Sequence, residues 1–171
     1  MVRVALPTVA GQGTPATALL ARQRVTHQLH TYEVDADTPN YGAAVADVLG
    51  QALGRELQGR VFKTLVTEVD GALTVAVVPV SGDVDLKALA GAAGGKRATM
   101  ADRGVAEKTT GYVRGGISPL GQRKRLPTVI DASAEEYETV FVSAGRRGLQ
   151  VELAPADLIS LTGATTARIS V

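Results

Sequence analysis

Residues 111–127 read Gly-Tyr-Val-Arg-Gly-Gly-Ile-Ser-Pro-Leu-Gly-Gln-Arg-Lys-Arg-Leu-Pro. Glycines and a Ser-Pro pair do not serve an ordinary helix or central strand, because they form turns and remove side-chain packing. They do let backbone N–H groups come close to a ligand. Arg123, Lys124 and Arg125 follow directly. A tight backbone cradle beside a basic run suits a phosphate- or ester-bearing ligand, and RNA fits that description.

Lys63 is the most suggestive single residue. In Val-Phe-Lys-Thr-Leu, alternation puts it on one strand face with Val61 and Leu65. A lysine between two apolar neighbours is costly to bury without a partner. It either snorkels at an edge or points into a cavity where an anion meets it. Tyr32 reads first as a half-buried packing residue with a wet hydroxyl. His27 and His30 need not converge on a strand and have no acidic cluster with them, so no metal site is expected. Ser118 and Ser143 lack the Gly-x-Ser-x-Gly elbow of a serine nucleophile. A serine in a turn most often bonds its own backbone. Arg146 and Arg147 suit a phosphate, but also a hairpin turn with solvated charges. The chain offers no assembled nucleophile and calls for no cofactor. Either it is a binding module, or its substrate brings the reactive group.

Those candidates sit in a chain of 171 residues, long enough for one domain with its own core. It has no cysteine, which excludes disulfides and thiolate sites. It shows no membrane span and no signal-peptide layout, so a cytoplasmic location is expected. Net charge is only +1, yet residues 96–125 hold eight cations against Asp102 and Glu107. That local excess implies either one basic face or a solvated loop.

Residues 1–12 read as a loose tail and 13–171 as the domain. Thr14 caps a helix with Pro15 in its first turn. Strands are expected at 27–34, 61–69 and 73–80, the last pair closed by Asp70-Gly71. The apolar run 73–80 suggests burial on both faces. Short helices are expected at 43–49, after Asp83 or Asp85, after Asp102, and from Pro155. Strands at 128–130, 139–143, 149–153 and 165–171 complete a mixed α/β fold. We expect one curved, barrel-like mixed sheet with short helices outside it.

Together these residues resemble the YbaK/EbsC family, relatives of the editing domain of bacterial prolyl-tRNA synthetase, and within it the Cys-tRNA(Pro) deacylase branch. The matching stretches include Thr14-Pro15-Ala16, Leu29-His30-Thr31-Tyr32 and Val61-Phe62-Lys63-Thr64-Leu65. Met100-Ala101-Asp102, Thr110-Gly111-Tyr112, Gly115 through Gln122, Val142-Ser143 and Arg147-Gly148-Leu149 continue the set. The resemblance spans about residues 13–171. It implies ester cleavage of a mischarged tRNA, tRNA as partner, and a prolyl-tRNA synthetase as a docking partner. Lys63 matches the family's essential lysine, thought to hold the acceptor end. Tyr32, Gly115 and Ser143 match other pocket positions. Ser118 joins them as a substrate-binding candidate, and Gly116 would add a second N–H to that of Gly115 at the oxyanion. Arg123, Lys124, Arg125, Arg146 and Arg147 would meet the tRNA. Ala144 stands where relatives often have glycine. The branch implies attack by the substrate's own cysteine thiol. The rivals are a deacylase for another tRNA, such as Ala-tRNA(Pro), and a catalytically silent RNA- or nucleotide-binding module.

Overall fold

Asp70 and Gly71 both take left-handed backbone conformations, with φ of 50° and 84°. They close a hairpin between β3 (Phe62–Val69) and β4 (Ala72–Pro79), paired antiparallel from Phe62 opposite Pro79 to Val69 opposite Ala72. The Asp-Gly sequence dictates this turn, whose twist matches that of the strands. In β4, Val75 and Val77 join one core cluster while Ala76 and Val78 join another, so the strand is buried on both faces as its apolar run implies.

The computed structural model describes residues 3–5 and 13–171. Of the expected tail, Arg3–Ala5 form strand β1, paired antiparallel with β2 (His27–Thr31). The rest of that tail lies outside the described residues. β2 pairs with β8 (Leu149–Leu153), and β8 with β7 (Val140–Arg146), giving an antiparallel four-stranded sheet in the order β1-β2-β8-β7. The second sheet has the order β5-β3-β4-β6-β9, with β5 (Ala98–Met100), β6 (Thr128–Asp131) and β9 (Thr165–Ala167). β6 is parallel to both β4 and β9.

The fold is therefore mixed α/β, but its strands form two sheets and not the single barrel-like sheet expected from the sequence. The sheets meet at one corner, through a parallel bridge between Val61 and Phe141 and a 2.9 Å hydrogen bond from Phe141 N–H to Arg60 O. β5 pairs with β3 only at Thr67–Val69. The outer edge of β3 is thus left without a β5 partner near Phe62–Leu65. Between the sheets lies the largest core cluster, which includes Leu29, Val75, Val77, Ile130, Val142 and Val151.

The helices begin where their caps dictate. Thr14 Oγ1 accepts from Thr17 N–H at 3.1 Å to start α1 (Pro15–Arg22). Asp85 and Asp102 do the same for α3 (Leu86–Ala92) and α4 (Arg103–Thr110), and Pro155 opens α5 (Pro155–Thr162). α2 (Tyr41–Leu53) runs beyond its expected end near Gly50 and stops at left-handed Gly54. Its residues Val45, Ala46 and Leu49 pack on Val61 and Phe141, and tertiary burial outweighs one poor helix former. The expected strand 165–171 is cut to β9. Beyond it, Ile169 and Ser170 donate their N–H groups to the buried Asp131 carboxylate at 2.9 and 3.0 Å, and Ser170 forms an isolated antiparallel bridge with Val84.

Candidate functional site

The uncovered edge of β3 opens into a cavity of about 420 Å³ lined by Phe62, Lys63, Thr64, Leu65 and Val66. α2 adds Tyr41 and Val45, α4 adds Arg103 and Glu107, and the Gly-rich loop adds Arg114 and Gly115. Ser143 and Gln150 come from β7 and β8, where they are cross-strand partners. Lys63, Gly115 and Ser143 are thus far apart in sequence and brought together by the fold.

Lys63 lines the cavity, and its side chain ends beside Asp83, which lies outside the lining. Its Nζ lies 3.2 Å from Asp83 Oδ1, and the Asp83 side chain is 85% exposed. Asp83 is fixed by its backbone, which exchanges hydrogen bonds with Val171 at 3.0 and 2.8 Å. Exposed pairs of this kind are weak and easily exchanged for another anion.

The two glycines behave differently. Gly115 has φ of 86°, lines the cavity, and lies so close to the Arg147 guanidinium that a side chain there would collide with it. Gly116 N–H donates to Val113 O at 2.9 Å. The expectation that it faces an oxyanion meets a donor already engaged in the loop's own turn. What Gly116 does provide is close approach, since a Cβ there would lie 2.7 Å from Arg146 Cα and 3.0 Å from Arg147 N.

Tyr32 is buried, and its hydroxyl is 3.3 Å from that of Tyr41. It reaches the cavity only through Tyr41. Burial and the bond to Tyr32 push the Tyr41 hydroxyl pKa well above its ordinary value, so it stays protonated at neutral pH. Ser118 is fully buried and its hydroxyl accepts from Leu120 N–H at 3.1 Å. It closes a turn and does not line the cavity, so the substrate-binding assignment gives way to the turn reading. Ser143 lines the cavity and accepts from Gly145 N–H at 3.2 Å. It stands where the register of β7 and β8 shifts.

The basic run lies elsewhere. Arg123 N–H donates to Thr110 O at 2.8 Å and Lys124 N–H to Thr109 O at 3.2 Å, closing the last carbonyls of α4. The Arg123 side chain rests against Gly111, the C-cap of α4, and the Arg125 guanidinium against Gly163, the C-cap of α5. None of the three lines the cavity. Arg147 is exposed, while Arg146 is half-buried with its Nε lacking a partner.

Several cavity residues escape sequence reading. Gln150 on the cavity wall, and Glu152 outside it, alternate with Leu149, Val151 and Leu153 and would be expected in solvent, yet both are buried. The Gln150 Oε1 and Thr64 Oγ1 atoms have no hydrogen-bond partner. Both residues line the cavity, and a buried polar atom without a partner is uncommon in a folded protein. Glu107 accepts from Arg114 N–H at 2.7 Å and lies 3.5 Å from Arg103 Nε. The Arg114 N–H, more than any other contact, holds the Glu107 carboxyl below its usual range. The arrangement offers a cation, open hydrogen-bonding atoms and an apolar wall, but no activated nucleophile.

Residues 42–161 match the model of the aminoacyl-tRNA editing domain family. Over 160 residues the chain is 39% identical to EbsC of Enterococcus faecalis (strain ATCC 700802 / V583), a protein named for Cys-tRNA(Pro)/Cys-tRNA(Cys) deacylation; the match covers 93% of this chain and 94% of that one. It is 28% identical over 145 residues to the multifunctional Ser/Thr-tRNA deacylase ProXp-y of Escherichia coli (strain K12), covering 84% of each. A solved structure described as a trans-editing enzyme for prolyl tRNA synthetase shares the fold, with a TM-score of 0.77, 22% identity, and coverage of 96% of this chain and 99% of that one.

Proposed function

Since the chain belongs to the aminoacyl-tRNA editing domain family, we propose that it is a trans-acting deacylase that clears cysteine from mischarged tRNA(Pro). The observation that carries this reading is the 39% identity to EbsC along nearly the whole chain. The cavity supports it, because a site without its own nucleophile suits a substrate that supplies one.

In the proposed reaction the cysteine sulfur attacks its own ester carbonyl carbon. A carbon–sulfur bond forms and the bond to the ribose oxygen breaks. The ribose leaves as a free hydroxyl, taking up a proton, and the amino acid leaves as a thiolactone that water then opens. The thiol proton is lost to solvent before attack. The protein's part is positioning and charge stabilisation. Lys63 holds the acceptor end, exchanging Asp83 for the substrate. Gly115 N–H faces the developing oxyanion, and Ser143, Gln150 and Thr64 supply hydrogen bonds around the aminoacyl group. Tyr32 acts through Tyr41, which it orients.

A second reading has support from the 28% identity to the Ser/Thr-tRNA deacylase: the substrate carries a hydroxyl, and water does the cleaving. Incubation with tRNA(Pro) charged with cysteine, alanine or serine separates the two. Rapid loss of cysteine alone supports the first reading. Loss of serine at the same rate supports the second, and no loss from any of them leaves a binding module.

A further inference from the structure

We propose that the phosphodiester backbone of a tRNA acceptor end is held by Arg103, Arg114 and Arg147 at the cavity mouth, and not by the consecutive cations Arg123, Lys124 and Arg125. This assignment rests on the tRNA deacylase reading above.

Three observations converge on the mouth. Arg103 and Arg114 line the cavity from α4 and the Gly-rich loop, and both are exposed. Arg147, also exposed, lays its guanidinium against Gly115, a cavity residue, and its charge is felt at two more, slightly opposing the raised Tyr41 pKa and adding a little to the lowering at Glu107. Among the described residues, Glu107 pairs with Arg103 and Asp83 with Lys63, while no ion pair engages Arg114 or Arg147. Two exposed guanidinium groups without carboxylate partners therefore flank the opening. Arginine matches phosphate geometry through paired N–H donors.

Much of the run at 123–125 has a use without RNA, although its three side chains are all exposed. Its backbone closes the end of α4, and the side chains of Arg123 and Arg125 rest on the C-caps of α4 and α5. Helix C-termini carry a partial negative charge of about half an electron, and cations there stabilise the helix. The strongest basic signal in the sequence thus has a structural use, while the cations at the cavity are scattered through the chain at 103, 114 and 147.

The test is binding of an uncharged acceptor-stem minihelix ending in CCA, followed by fluorescence anisotropy over a salt series. The logarithm of affinity falls linearly with that of salt, and each lost phosphate contact reduces the slope by about one. The R103Q/R114Q/R147Q variant is expected to lose about two to three from the slope. R123Q/K124Q/R125Q is expected to keep the wild-type slope while melting at a lower temperature. Single R114Q and R147Q variants, each expected to lose about one, serve if the triple variant does not fold. An unchanged slope in the mouth variants overturns the assignment, and so does an equal loss in the 123–125 variant. Deacylation by a wild-type protein whose slope ignores the mouth arginines sinks this inference alone. Mouth-dependent binding without deacylation supports it and sinks the deacylase reading.

Discussion

Lys63 Nζ and Asp83 Oδ1 lie 3.2 Å apart, so the lysine on the cavity wall already carries an exposed carboxylate partner. Lys63→Ala is expected to lower deacylation strongly. A hydrogen bond to a charged group contributes about 1.5–3 kcal/mol, or roughly 10- to 150-fold. Its side chain is 31% exposed, so thermal stability should barely move. Unchanged turnover would remove Lys63 from the site.

Asp83→Ala separates competition from positioning. If Asp83 only competes for Lys63, its loss should tighten substrate binding by at most about fivefold, since an exposed pair contributes up to about 1 kcal/mol. Steady-state kinetics should show a lower KM with kcat unchanged. A higher KM would mean that Asp83 instead orients the lysine.

Gly116→Ala should disrupt both stability and the site. The new Cβ would lie 2.7 Å from Arg146 Cα and 2.9 Å from the Arg146 carbonyl carbon. Backbone atoms cannot swing aside as a flexible side chain does. Overpacking of this kind costs about 1–3 kcal/mol, read as a lower denaturation midpoint. The loop carries Gly115 and Arg114 with it, so activity should fall as well. A variant with wild-type stability would show that the loop is free to lift from β7.

These cases show what the sequence made legible. Thr14, Asp70-Gly71, Asp85, Asp102 and Pro155 act through their own immediate backbone, so the elements they start or close could be read locally. Lys63 stood out because an ionic group between apolar neighbours is anomalous whatever the fold. Gln150 did not, because its alternation with leucine and valine reads as solvent-facing unless one knows that α2 and the cavity cover that face of the sheet. Arg103, Arg114 and Arg147 converge only in three dimensions, while Arg123, Lys124 and Arg125 drew attention by being consecutive. The division into two sheets depends on which strands pair, with only the single Val61–Phe141 bridge between them among the described residues, and such long-range pairing is encoded in no local pattern.

Stability should fall in acid through Asp131. Burial pushes its carboxyl pKa up, but hydrogen bonds from Ser133, Ile169 and Ser170 outweigh this and leave it below the ordinary value. A folded pKa below the unfolded one gives stability that is fully present above the unfolded value of about 3.9 and is lost as pH falls through the folded value. Chemical denaturation at pH 6, 4 and 2.5 should show a steep decline below pH 4 in the wild type. Asp131→Asn, already weakened at pH 6, should decline less over the same range. Parallel declines would place the acid sensitivity elsewhere, with Glu152 as the next candidate, since its carboxyl pKa is also lowered.

Cleavage should require a thiol on the substrate. The cavity holds Lys63, which is paired with Asp83, tyrosine and serine hydroxyls, and one carboxylate, Glu107, which is engaged by Arg114 N–H and Arg103 and, held below its usual pKa, is a weak base. The Tyr41 hydroxyl, its pKa raised, ionises less readily than an ordinary tyrosine and supplies no phenolate near neutral pH. A free thiol has a pKa of about 8.5, so a few per cent is thiolate near neutral pH. A serine hydroxyl ionises far less, although serine and cysteine differ little in size. Pocket shape alone separates such close analogues weakly, so a large preference for cysteine must come from the chemistry. Single-turnover rates with tRNA(Pro) charged with cysteine, corrected for spontaneous hydrolysis, should rise about tenfold per pH unit below the thiol pKa. Serine and alanine esters should stay near the uncatalysed rate. A serine rate comparable to that of cysteine would sink substrate-assisted cleavage and point to water held by Gln150, Thr64 or Ser143, bringing this cavity closer to the Ser/Thr-tRNA deacylase it resembles.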